Sequence, residues 1–184
     1  RARFPGLYPR EKQSSGAARG VGLQSVGLMI PTQQDARERL EALGPWFYEF
    51  DLGAYGRTVS SLPPEVLPIH QPRLQMVYGI VDGYFGGRLR EIRCLDVGCH
   101  EGYFSVAMAR KGMREVRGVD VRESSLAKAG FVRDALGLNN LAFERHNCEE
   151  LHIKDGAPYE LTLFLGILYH LENPMLCLRN VSRL

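Results

Sequence analysis

In the stretch CLDVGCHEGYFS, from Cys94 to Ser105, an aspartate stands two residues before a glycine, and a second glycine follows four residues later: Asp96, Gly98 and Gly102. A further aspartate, Asp120, lies in the later run RGVDV. Two glycines in five residues predict a turn that needs unusual backbone angles or lets a ligand approach closely, with its N–H groups directed at what binds there. The neighbouring residues exclude the phosphate-binding forms of such a turn. A dinucleotide fingerprint requires G-x-G-x-x-G, and His100 holds the place of its second glycine. A P-loop ends in Gly-Lys-Ser/Thr, and no lysine lies here. A phosphatase loop places His before Cys, whereas Cys99 precedes His100.

The elements that must hold these residues follow from the hydrophobic pattern. From about residue 88, short apolar runs alternate with helical stretches: EIRCLDV, YFSVAMARKG, EVRGVDV, SSLAKAGFVRDALG, LAFERHN, YELTLFL and PMLCLRNVSRL. That order predicts an α/β fold, a Rossmann-like parallel sheet with crossover helices. Ligands of such sheets bind beyond the carboxyl ends of the strands, where the glycine turn falls. Upstream, TQQDARERLEALG predicts a helix capped by Thr32, with Ala36, Leu40 and Leu43 on one face. WFYEFDLGAYGRTVS predicts an aromatic extended segment with a glycine turn. QPRLQMVYGIVDGYFGG predicts a helix opening at Pro72, with Leu74, Val77, Tyr78, Val81 and Phe85 at helical spacing. The chain therefore divides into a flexible basic lead-in (1–28), a helical, aromatic-rich N-terminal cap (29–87) and a sheet domain (88–184).

The pattern Asp96-Val97-Gly98-x-x-x-Gly102, with Asp120 at the end of the next strand, resembles the cofactor site of class I S-adenosylmethionine-dependent methyltransferases. The resemblance covers roughly residues 43 to 184. LGILYHLENP, with Pro45-Trp46 and Asp51-Leu52-Gly53 upstream, is similar to the tRNA wobble-uridine carboxymethyltransferase-like branch. It implies S-adenosylmethionine as cofactor and S-adenosylhomocysteine as product. It also implies cofactor-binding roles for Asp96, Gly98, Cys99, His100 and Gly102 in the first loop, and for Asp120 on the ribose hydroxyls. Asn147 and Cys148 would meet the adenine, and Leu165 would line the site after the fourth strand. His100 departs from the glycine common at its position. A carboxylate matches a vicinal diol, and a sulfonium cofactor needs no phosphate-binding lysine. The carboxymethyl-transferring enzyme of that branch uses an N-terminal lysine for an extra carboxylate, and no lysine lies between Lys12 and Lys111. Ordinary S-adenosylmethionine is therefore expected, with Arg57 the remaining cation for a carboxylated one.

Tyr169 and His170, just after the fourth strand, are the catalytic candidates; the alternative for them is packing or capping. His170 would act as a base toward an attacking hydroxyl or amine. Trp46, Phe47, Tyr48 and Phe50 either stack a ring substrate or cover the sheet. His146, Cys148 and His152 fit no metal-site spacing, so no metal is expected. Cys94, Cys99, Cys148 and Cys177 form no C-x-x-C pair, which predicts reduced thiols and a cytoplasmic protein. No apolar run is long enough for a membrane span. A net charge of +2 is too small to announce nucleic acid, so a small-molecule acceptor ranks ahead of tRNA. A class I methyltransferase sheet has seven strands, and the pattern stops within the helix after the fourth. That predicts a truncated sheet, self-association through its exposed edge, and, as an alternative to an enzyme, a non-catalytic cofactor-binding or interaction module.

Overall fold

The computed structural model describes residues 33–151 and 158–184. The lead-in 1–28, the cap residue Thr32 and His152 lie outside the described residues. Four parallel strands form one sheet in the order β3-β2-β1-β4: β1 (Arg93–Val97), β2 (Glu115–Asp120), β3 (Leu141–Arg145) and β4 (Leu161–Leu163). Every residue of β1 is buried, as expected of a central parallel strand covered on both faces. Alternation along the strands separates two apolar clusters. Cys94 and Val116 join the first, with Met108, Phe131 and Val132, and Leu95, Val97 and Val119 join the second.

The first cluster lies beneath helices α3 (Tyr103–Arg110) and α4 (Glu123–Ala135). It also takes in Leu74, Val81 and Phe85 from α2 (His70–Phe85), with Trp46, Phe50 and Leu52 from the segment before it. α2 begins two residues before the expected Pro72, which sits inside its first turn, where a missing N–H costs nothing. α1 (Gln33–Ala42) packs Leu40 against the same cluster, as does Leu43 just beyond it. The aromatic segment is extended, with single bridges Trp46–Ser60 and Asp51–Arg57 and a 3-10 turn at Gly53–Tyr55. The second cluster is closed by α5 (Pro174–Val181), whose first turn Asn173 caps by accepting from the Leu176 N–H at 3.0 Å.

The fold corrects one expectation and divides another. The four cysteines are not all free thiols: Cys148 and Cys177 form a disulfide between the segment after β3 and α5, leaving Cys94 and Cys99 free and buried. Their sequence separation of 29 hid the pair from a search for short spacings. The aromatic segment covers the sheet with Trp46 and Phe50, which are core, while Phe47 and Tyr48 face the glycine turn. No helix among the described residues is long and apolar enough to cross a membrane.

Candidate functional site

The glycine turn joins β1 to α3, and its N–H groups do not point at a ligand as expected. Gly98 and Cys99 both donate to the Val119 carbonyl, at 2.8 and 3.0 Å, and His100 donates to Asp120 Oδ2 at 2.9 Å. Gly102 donates to the Cys99 carbonyl at 2.9 Å. The Val119 carbonyl near the carboxyl end of β2 takes two of those donors, and a buried carbonyl needs a partner. The N–H groups of Gly98, Cys99, His100 and Gly102 are thus spent within the chain.

The glycines are required for reasons visible in the packing. Gly98 has φ +73°, and a Cβ there would stand 2.6 Å from Ile167 Cδ1 in the loop after β4. Gly102 has φ +81° and caps α3 in the left-handed region; a Cβ there would meet Phe143 Cζ at 2.6 Å. Close approach at both places is thus made by this chain's own side chains. His100 carries φ +54° without being glycine, a strain offset by its ring packing on Phe47 and Tyr48, with centroids 5.1 and 5.7 Å away. Burial pushes the His100 imidazole down to about 4.

Two acids sit at the strand ends. Asp96, 3 % exposed, lies opposite Gly118 and accepts from Ser105 Oγ at 2.5 Å; burial pushes its carboxyl up to about 6 against that hydrogen bond. Asp120, 5 % exposed, accepts from the His100 N–H, and from the Arg122 N–H and Nε at 3.0 and 3.1 Å. Burial acts to raise its carboxyl, and the Arg122 guanidinium and these N–H groups outweigh that and hold it below the usual range. Arg122 is half-exposed and reaches Asp120 from the open side.

Asn147 is exposed and caps a 3-10 turn, its Oδ1 accepting from the Glu149 N–H at 3.1 Å. Cys148 is buried in the disulfide, so any contact it makes with a ligand runs through its backbone. α5 fixes this segment: Asn180 Nδ2 donates to the Glu149 carbonyl at 2.7 Å, and Glu149 Oε1 accepts from the Asn173 N–H at 2.9 Å. Leu165 stands half-exposed beyond β4. Tyr169 and His170 lie on an exposed 3-10 turn, Leu168–His170, with rings 4.3 Å apart and Tyr169 77 % exposed. Arg57 is exposed beside Asp51. His146 pairs with Glu144 at 3.1 Å, and no cluster of three metal-binding side chains exists among the described residues.

Sequence reasoning missed the group that ties the cap to the turn. Glu101, 1 % exposed, accepts from the Phe47 N–H at 2.9 Å, the Tyr48 N–H at 3.0 Å and Lys128 Nζ at 2.9 Å. Lys128 also donates to the Pro45 carbonyl and lies over the Trp46 ring. A buried carboxylate with this many charge-assisted partners holds residues 45–48 against the turn. Its only sequence signal is an acid between two glycines. Among the described residues, a cavity of ≈ 580 Å³ lies at the amino ends of the strands, beside Arg93, Arg114 and Asn140, and another of ≈ 330 Å³ lies between the cap and the outer face of α3.

The methyltransferase-domain family matches residues 89–184, just over half of the chain. The chain belongs to that family. Its parallel sheet is the Rossmann-like form of the class I, S-adenosylmethionine-dependent methyltransferases. A ubiquinone biosynthesis O-methyltransferase of Maricaulis maris is 34% identical over 93 residues, covering 50% of this chain and 36% of the relative. One from Neisseria meningitidis is 32% identical over 107 residues, covering 56% and 43%. The chain thus spans less than half the length of these two curated relatives. Among solved structures, the N-terminal domain of EvdMO1 with S-adenosylhomocysteine bound superposes with a TM-score of 0.70 at 24% identity, over 86% of this chain and 64% of that one. Magnesium protoporphyrin IX methyltransferase from Synechocystis, also with S-adenosylhomocysteine, gives a TM-score of 0.55 at 21% identity, over 82% and 62%. At those identities the likeness is one of fold. Both curated relatives carry the name of a ubiquinone O-methyltransferase rather than of the wobble-uridine branch.

Proposed function

We propose that this methyltransferase domain transfers the methyl group of S-adenosylmethionine to a hydroxyl of a small-molecule acceptor. The observation that carries this is the turn with three N–H groups spent on β2 and two buried acids, Asp96 and Asp120, beside it. Such a lining repels phosphate and suits a ligand bearing an ammonium and a sulfonium, with a diol for the second acid. When bound, S-adenosylmethionine supplies an electrophilic methyl carbon. Asp120 takes the ribose hydroxyls once Arg122 swings outward, and Asp96 with the Gly98–Gly102 backbone faces the amino-acid part. Asn147, the Cys148 backbone and Leu165 border the adenine, and Tyr169 and His170 stand on the acceptor side. The names of the two O-methyltransferase relatives support a small acceptor, and neither points to tRNA. A cytoplasmic location stays an expectation that the Cys148–Cys177 disulfide does not favour.

Calorimetric titration with S-adenosylmethionine and S-adenosylhomocysteine tests the cofactor site. Micromolar binding is expected, lost in Asp120→Ala. A folded chain that binds neither ligand refutes the reading, and binding without turnover on any hydroxyl acceptor points to the non-catalytic module instead.

A further inference from the structure

His70 opens α2, is 6 % exposed, and has no hydrogen-bond partner at either ring nitrogen among the described residues. Buried polar groups are almost always paired, and one that is not calls for an explanation. Its surroundings point to what that is. The ring is enclosed by Tyr48 at 4.6 Å, Phe47 at 5.3 Å and Tyr103 at 5.9 Å between centroids. Each of these walls is fastened to the glycine turn: Glu101 accepts from the Phe47 and Tyr48 N–H groups, and Tyr103 directly follows Gly102. Phe47 and Tyr48 also pack on His100 of the turn. The cage therefore belongs to the cofactor loop, although it is built largely from the cap.

We propose that His70 is the proton acceptor for the methyl-acceptor hydroxyl, and that the aromatic walls around it select a planar, ring-bearing alcohol. This rests on the methyltransferase reading above. The acceptor oxygen forms the new O–C bond with its lone pair, and the C–S bond breaks onto sulfur. The O–H proton passes to a ring nitrogen of His70, so the positive charge of the sulfonium reappears on the imidazolium. Aromatic walls favour a flat acceptor by stacking.

The groups facing His70 set its protonation. Arg73 on its own helix holds the charged form down and Glu49 on the cap favours it, while burial, the largest influence, leaves the ring below its ordinary range. The Tyr48 and Tyr103 phenols and the His100 ring complete the surroundings, and burial keeps Tyr103 protonated. His70 is thus neutral near pH 7, the state a base requires.

The test uses the whole chain with 15N-labelled histidine and phenol as the probe alcohol. Phenol is titrated with and without S-adenosylhomocysteine, and its methylation is followed against pH. Expected are a shift of the His70 ring resonance on adding phenol, and an acid limb in kcat/KM with its midpoint below 6.5. In His70→Gln and His70→Asn that limb disappears with a loss of about 100-fold or more, while S-adenosylhomocysteine affinity is unchanged, which shows that the variants fold. An unmoved ring resonance, phenol bound without transfer, or variants that keep both rate and limb each overturn the proposal. If the parent chain fails to bind S-adenosylhomocysteine, the cofactor reading falls instead, and the phenol titration without it still decides whether His70 receives the alcohol.

Discussion

At the scale of single residues, His100 and Asp96 have opposite consequences for acid stability. His100 is lowered to about 4, so the unfolded chain takes up its proton first, and the stability tied to the neutral ring is lost as pH falls from about 6.5 toward 4. Asp96 is raised to about 6, so its burial penalises the native state above that pH and is relieved as pH falls through the same window. Each is worth up to about 3 kcal/mol, and in the parent the two slopes offset. Thermal melting of His100→Gly measured against the parent isolates the histidine: the variant should gain on the parent steadily from pH 6.5 down to 4. An equal difference at both ends would show that the ring is not desolvated. At neutral pH, His100→Ala should be less stable than His100→Gly by about 1 kcal/mol, because both lose the ring contacts but only alanine keeps a Cβ at positive φ.

At the scale of elements, one ring governs how β2, β3 and α3 fit together. A Cβ at Gly118 would come 2.6 Å from Phe143 Cδ1 and 2.9 Å from Ser105 Oγ, and the Phe143 ring also fills the space beside Gly102. Gly118 and Phe143 are register partners across β2 and β3, so neither strand can slide to relieve the clash. Gly118→Ala should destabilise by about 2 kcal/mol, the usual range for overpacking, and by clearly less in a Phe143→Ala background. Denaturant unfolding of the four-protein cycle measures that coupling, and strict additivity would mean that the ring does not press on β2. Strand order and helix spacing were legible along the chain because apolar alternation is a local property. The partner that demands glycine at Gly118 was not, since it lies 25 residues away on another strand.

At the scale of the whole molecule, α5 and the segment after β3 are held together by the Cys148–Cys177 disulfide and by Asn180 and Glu149. Opening a loop of this length by reduction should cost about 3 kcal/mol and loosen the proposed adenine side first. Denatured, unreduced protein prepared under oxidising conditions should show two reactive thiols, Cys94 and Cys99. In the native state both should resist alkylation, since burial raises each thiol well above its ordinary range. Four reactive thiols after denaturation would contradict the pairing.

Periodicity, glycine placement and the two strand-end acids are properties of neighbours within a few residues, and the amino-acid order by itself determined them: a parallel α/β sheet, a turn after Asp96, and Asp120 at the next strand end. The tertiary structure alone decided the rest. Three N–H groups of the turn go to Val119 and Asp120 because β1 and β2 pair in one register. Glu101 grips a cap more than 50 residues upstream, His70 is enclosed by rings from two separate segments, and Cys148 finds Cys177. Each of these contacts joins positions that only the folded sheet brings within bonding distance, where burial makes a missing partner costly enough to matter.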